Sequence, residues 1–192
     1  MRVLVFGDSI TQGFWDTNGG WVQRIRTIYD EETIKVDYDY ELPTIFNMGI
    51  SADDSGDIVE RFEAETKARY SGNGMGFVFA IGINDSCTKS GVNFSSVEEY
   101  RGNLEKLLAM ARQYSNKIVF VGITPCVEER SNPVSWGDTG YTNNRIQQFN
   151  QVLEDFFHTN NVEFIDIFTP FTEAEAKTEF LPDGLHPNDA GH

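Results

Sequence analysis

A serine follows the first apolar run of the chain, in Arg2-Val-Leu-Val-Phe6-Gly-Asp-Ser9-Ile-Thr11-Gln-Gly13. Near the other end stands Pro182-Asp183-Gly-Leu-His186-Pro187-Asn188. A hydroxyl at a strand-to-helix corner and a carboxylate three residues before a histidine are the parts of a serine-hydrolase triad. A neutral serine is a weak nucleophile and needs an adjacent base. The chain offers three histidines. His158 ends an amphipathic segment, where it would complement a helix macrodipole. His192 is terminal and is expected to fray. His186 lies in a loop between Asp183-Gly184 and Pro187, and Asp183 can fold back onto one ring nitrogen to fix the tautomer. That leaves the other nitrogen for Ser9. The bland alternatives are a structural turn at Gly7-Asp8-Ser9 and a capped turn at Asp183–His186.

Acyl transfer also needs donors for the tetrahedral oxyanion, each commonly worth about 2.7–4 kcal/mol of transition-state stabilisation. The candidates are the Ser9 N–H, the Gly49 N–H in Asn47-Met-Gly49, and the side-chain amide of Asn84 in Gly82-Ile-Asn84-Asp85. Glycine lets a backbone approach a substrate closely, and asparagine donates without adding charge. Taken singly, both segments also read as turn punctuation after strands.

These residues need a frame that brings distant segments together. Val3–Phe6 is a short apolar run, as a buried parallel strand requires. Thr44–Met48, Gly76–Ile81, Lys117–Ile123 and Val162–Ile167 read as further core strands. Helical spacing appears from Trp21 through Ile25 and Ile28, over Ser55–Tyr70, after the capping-box pattern Ser96-Val-Glu-Glu99, and over Asn144–His158. Ile34–Tyr40 alternates in period two and suggests an edge strand or an extended excursion. The alternation of strand and helix predicts a parallel sheet with helices on both faces. Ligands of such sheets sit beyond the carboxyl ends of the strands, and Ser9, Gly49 and Asn84 each follow one. The long segment Cys126–Thr142 follows the fourth strand and is expected to form a mobile wall or lid over the same edge.

The four segments resemble, in order, the conserved blocks of the SGNH (GDSL-like) hydrolases: Gly7-Asp8-Ser9-Ile10-Thr11, Asn47-Met48-Gly49, Gly82-Ile83-Asn84-Asp85 and Asp183-Gly184-Leu185-His186-Pro187. The resemblance implies an α/β fold, a flavodoxin-like three-layer α/β/α sandwich on a mostly parallel five-stranded sheet. It also implies a carboxylic ester hydrolase working through an acyl-enzyme without metal or cofactor. Ser9 would be the nucleophile, His186 the base and then acid, and Asp183 its orienting partner. The Ser9 N–H, Gly49 N–H and Asn84 amide would form the oxyanion hole, with Asp8 and Asp85 as supports. Two departures stand out. Ala52 occupies a place where the family often has a second glycine. The chain also stops at Gly191-His192, where the family usually begins a last helix. The expectation is therefore a single domain over 1–192 lacking part of its C-terminal helix.

The formal charge of −15 on 192 residues disfavours nucleic acid and anionic membrane as partners. No apolar run approaches the roughly 18 residues of a membrane span. The two cysteines have no disulfide or zinc spacing. A cytoplasmic location is expected, unless a longer precursor directs secretion. No Gly-x-Gly-x-x-Gly or Walker pattern follows the first strand, so a nucleotide site has little support. The expected substrate is a small acyl ester, with short acyl groups such as acetyl on a carbohydrate ahead of lysophospholipids and thioesters. Phe14, Trp15, Trp136 and Tyr141 are the candidate pocket walls. A non-catalytic binding module on the same fold is the alternative of another class.

Overall fold

The computed structural model describes residues 1–37, 42–175 and 178–192. Its centre is a sheet of five parallel strands in the order β2-β1-β3-β6-β8. These are β1 (Arg2–Gly7), β2 (Thr44–Gly49), β3 (Met75–Ala80), β6 (Ile118–Val121) and β8 (Glu163–Ile165). Apolar residues on both sides of β1 suit a strand buried on two faces. Leu4 and Phe6 enter the larger core cluster, while Val3 and Val5 pack toward the smaller one.

The larger core lies under α3 (Ser55–Arg69), α4 (Val97–Ala111) and α6 (Asn143–Asn160). There Phe6, Phe79 and Phe120 stack across three neighbouring strands, with ring centroids 5.8 and 5.0 Å apart. Each fully buried aromatic contributes about 1.5–3 kcal/mol over leaving it in water. The opposite face packs Val5 and Ile45 on Val22 of α2 (Gly20–Lys35), with Trp21 and Tyr29 alongside. Helices on both faces give the α/β/α layering expected from the sequence.

Helix boundaries follow local chemistry. Asp54 caps α3 by accepting from Gly56 and Asp57, and the Asp57 side chain returns the bond to the Asp54 N–H. Ser96 caps α4 by accepting from the Glu99 N–H at 3.1 Å. The Glu99 carboxylate bonds Ser95 Oγ instead, so the expected box is half made. Helix α2 runs on through Ile34 and Lys35, so the period-two reading of this stretch fails there. Val36 and Asp37 form the turn that ends the helix, and the remainder of that stretch, 38–40, lies outside the described residues.

Register aligns the site. Gly7 pairs with Gly49 on one side and Ala80 on the other, so β1, β2 and β3 end level. The turns that follow carry Ser9, Ile50–Asp54 and Ile81–Asp85 to one edge. A small antiparallel sheet of β4 (Thr88–Lys89), β5 (Val92–Asn93) and β7 (Thr139–Gly140) was not foreseen. Its Ser90-Gly91 turn holds both residues at positive φ, 51° and 77°, as a tight hairpin demands. The long segment after β6 is consequently anchored. It contains α5 (Glu128–Ser131), pairs Gly140 with Thr88, and donates from Tyr141 N to the Ser131 carbonyl at 2.9 Å.

Candidate active site

Ser9 opens the short helix α1 (Ser9–Gln12). Asp8 caps that helix, its Oδ1 accepting from the Ile10 N–H at 2.9 Å. The cap holds the Ser9 side chain at the sheet edge, and Ser9 is buried. Its Oγ lies 2.9 Å from Nε2 of His186, across 177 residues of sequence. His186 Nδ1 lies 2.7 Å from Asp183 Oδ2. An ionised carboxylate only accepts, so Nδ1 carries the proton and Nε2 is free to accept from the Ser9 hydroxyl. Asp183 Oδ1 takes the Leu185 and His186 N–H groups at 2.9 and 2.8 Å. Gly184 permits the turn at φ 90°, and its carbonyl accepts from Val127 N at 2.8 Å, tying the loop to the start of α5. Burial alone would raise the Asp183 carboxyl. The bonds from His186, Leu185 and Trp15 outweigh it and hold the group well below the usual carboxylate range.

The expected oxyanion donors are differently engaged. Among the described residues the Ser9 N–H has no partner. Asn84 donates one amide hydrogen to the Asp53 carbonyl at 2.9 Å, and its Oδ1 accepts from the Tyr141 hydroxyl at 2.9 Å. That pair of bonds fixes which end of the amide is the donor and leaves its second hydrogen available. The Gly49 N–H donates to Asn47 Oδ1 at 2.9 Å, while Asn47 Nδ2 donates to the Thr11 carbonyl at 2.8 Å. Gly49 has a packing reason as well. A Cβ there would overlap the Gln12 backbone nitrogen and come within 2.8 Å of the Asp8 carbonyl oxygen. Only glycine lets α1 sit flush on the end of β2.

Ala52 is the residue that sequence reading passed over as a donor. It is the third residue of a turn closed by Asp53 N to the Ile50 carbonyl at 3.2 Å, and its φ is 71°. Ser51 N and Oγ bond Gln12 Oε1 at 2.9 and 2.8 Å on one side, and Asn84 holds the Asp53 carbonyl on the other. The Ala52 N–H is unpartnered among the described residues. Its signal in the sequence was only the departure from glycine.

Burial pushes Asp8 up to about 6 and Asp85 up to about 7. Asp85 accepts from both the N–H and hydroxyl of Ser55, the first residue of α3. Both acids therefore act as buried braces for helix starts. Phe14 and Trp136 flank the His186 ring, with centroids 5.1 and 5.8 Å away. Phe14, Trp15 and Trp136 are 38 %, 56 % and 55 % exposed, as a wall facing solvent would be. Tyr141 is buried and spends its hydroxyl on Asn84, so it braces the site from behind. Trp15 donates its indole N–H to Asp183 Oδ2 at 2.7 Å. His192 is not frayed: its Nε2 lies 3.2 Å from the Phe14 carbonyl, and burial lowers its proton affinity. Both cysteines are buried free thiols pushed up to about 11 by burial. Among the described residues no group of three or more His, Cys, Asp or Glu side chains could hold a metal ion, and no helix is long and apolar enough to cross a membrane.

A parallel sheet with a hydroxyl, an imidazole and a carboxylate in series at its carboxyl edge is the architecture of a serine-hydrolase fold. The model of the GDSL-like lipase/acylhydrolase family matches residues 5–192, and the chain belongs to that family of hydrolases. No curated protein matches the chain. Among solved structures, a lipolytic protein of the G-D-S-L family from Veillonella parvula superposes with a TM-score of 0.73 at 20% identity, covering 100% of this chain and 91% of its own. A lipase/acylhydrolase from Enterococcus faecalis gives 0.74 at 21%, covering 99% and 88%. An acetylxylan esterase from Geobacillus stearothermophilus gives 0.71 at 20%, covering 100% and 88%. These likenesses are likenesses of fold.

Proposed function

We propose that the protein hydrolyses short-chain acyl esters through an acyl-enzyme on Ser9, with acetyl groups on a carbohydrate as the favoured substrate. The observation that carries the reading is the unbroken chain from Ser9 Oγ to His186 Nε2, at 2.9 Å, and from His186 Nδ1 to Asp183 Oδ2, at 2.7 Å. Ser9 Oγ attacks the ester carbonyl carbon as its proton passes to His186 Nε2. The Ser9 N–H, the free hydrogen of the Asn84 amide and the Ala52 N–H receive the oxyanion. Gly49, whose N–H is already held by Asn47, seats α1 instead. Collapse expels the alcohol with the proton from His186. Water, activated by the same imidazole, then releases the acid.

The exposed aromatic wall of Phe14, Trp15 and Trp136 supports a carbohydrate leaving group, because sugar rings stack on open aromatic faces. An acetylxylan esterase among the structural neighbours agrees with that choice. Ser9→Ala should abolish hydrolysis of p-nitrophenyl acetate, a fall of at least about a thousandfold in kcat, with Tm nearly unchanged. A fluorophosphonate should label Ser9 in the parent protein, read by peptide mass spectrometry. Full turnover by the alanine variant in a clean preparation would remove Ser9 from the chemistry. Equal rates on p-nitrophenyl acetate and octanoate, with none on acetylated xylo-oligosaccharide, would reject the carbohydrate assignment.

A further inference from the structure

Four donors converge on the Asp183 carboxylate, as many as its two oxygens readily accept. Three come from its own loop: the Leu185 N–H, the His186 N–H and His186 Nδ1. They travel with the loop and cannot tell it where Ser9 is. The fourth is the indole N–H of Trp15, 2.7 Å from Asp183 Oδ2 and 168 residues away in sequence. Trp15 is the third residue after α1, and Phe14 N and Gly13 N both donate to the Ser9 carbonyl, at 3.0 and 3.1 Å.

The backbone at Trp15 adds a second observation. Asp16 N closes a turn onto the Gly13 carbonyl at 3.2 Å, and Trp15 sits third in it at φ 67°. Glycine or asparagine is favoured there, and a bulky side chain is strained. Burial does not account for tryptophan, since the residue is 56 % exposed. The strained backbone aims the indole nitrogen at Asp183.

We propose that Trp15 is a positioning residue for the Asp183–His186 pair, its indole N–H locking the histidine loop to the segment that carries Ser9. The inference rests on the reading of Ser9, His186 and Asp183 as the acyl-transfer machinery. Its consequence is twofold. The carboxylate is held in line with His186 Nδ1, and part of its charge is spent on the indole rather than on the imidazolium that forms during attack.

The test is Trp15→Phe in the full chain, which keeps a ring and deletes the donor. With p-nitrophenyl acetate, kcat should fall about tenfold, in line with loss of one charge-assisted hydrogen bond, while KM stays within about twofold. The pH at which kcat/KM reaches half its plateau should move upward, because a less satisfied Asp183 holds the imidazolium proton more tightly. The other titratable and charged groups near the pair are Asp8, which feels His186, Asp16, Arg24, Asp189 and His192 beside the Trp15 turn, and Arg130, which packs on Gly184. None of them is altered by the substitution. If Trp15→Phe folds poorly, β-(3-benzothienyl)alanine at position 15 keeps the indole shape and replaces the N–H by sulfur, with the same expected readings. Parent kcat and an unshifted pH profile in either variant, with Ser9 still labelled by fluorophosphonate, would overturn the role of Trp15 alone. A raised KM for p-nitrophenyl acetate at constant kcat would confine the indole to the substrate wall it shares with Phe14 and Trp136 and overturn it too. Failure of the parent protein to label at Ser9 would sink the esterase reading of the site and this inference with it.

Discussion

Two small residues beside Ser9 show how a single methyl group decides the site. Gly49 has no room for a Cβ, because the α1 backbone presses on it. Gly49→Ala should lift α1 from the sheet edge, cost about 2 kcal/mol or more in stability, and slow ester hydrolysis by about a hundredfold through displacement of Ser9. Ala52 is the reverse case. Its Cβ is carried at φ 71°, a conformation that favours glycine. Ala52→Gly should retain activity and stabilise by up to about 1 kcal/mol. Thermal melts and p-nitrophenyl acetate rates on the two variants check both directions. A loss of activity in Ala52→Gly with Tm unchanged would mean that the Ala52 N–H needs its rigid turn to meet the oxyanion.

Among the elements, the segment after α1 and the last residues of the chain form a clamp around the site. Asp16 accepts from the Asn18 and Gly20 N–H groups at 2.8 and 2.9 Å and takes Arg24 in a two-point pair at 2.9 and 3.0 Å. The Arg24 guanidinium holds the Asp16 carboxyl well below its usual range. Arg24 also donates to the Asp189 carbonyl at 2.8 Å, and the Asp189 carboxylate accepts from Thr17 N and Oγ1 at 2.8 and 2.6 Å. Asp16 has a fully buried side chain while Arg24 is partly open to water, so the pair is worth less than a wholly buried one. Asp16→Ala should still cost about 2–3 kcal/mol, since two backbone N–H groups lose their acceptor as well. It should slow kcat more than it raises KM, because the Ser9 and His186 segments lose a shared brace. Urea melts and steady-state kinetics on one preparation read both effects.

For the whole molecule, buried acids set the pH dependence of stability. Asp8 and Asp85 have folded-state values of about 6 and about 7, raised by burial. Their contribution is fully present below the unfolded carboxylate value of about 3.9 and is lost as pH rises through 6 to 7. Asp183 and Asp16 are lowered. Their contribution is present above that unfolded value and is lost as pH falls toward strong acid. The two trends oppose each other and cross at the unfolded carboxylate value they share, so Tm should peak at about pH 4 and decline toward about pH 7. Scanning calorimetry across pH 3–9 checks the curve. Asp85→Asn should flatten its alkaline side, and an unchanged slope in that variant would show that Asp85 stays ionised in the fold.

Alternation of strand and helix, the cap at Ser96, and the segments carrying Ser9, Asn84, Asp183 and His186 were legible because each depends on neighbours a few residues away. Local dihedrals, capping bonds and side-chain periodicity are written over such short distances. The small sheet of β4, β5 and β7, the Asn47–Gly49 bond, the Tyr141 hydroxyl on Asn84 and the Trp15 indole on Asp183 were not legible in that way. Most of these join segments far apart along the chain, and even the local Asn47–Gly49 bond depends on how β2 ends against α1. The chain by itself determined which chemical groups would be available. Tertiary packing decided which of them meet, because only closure of the parallel sheet brings Ser9 within 2.9 Å of a histidine 177 residues away.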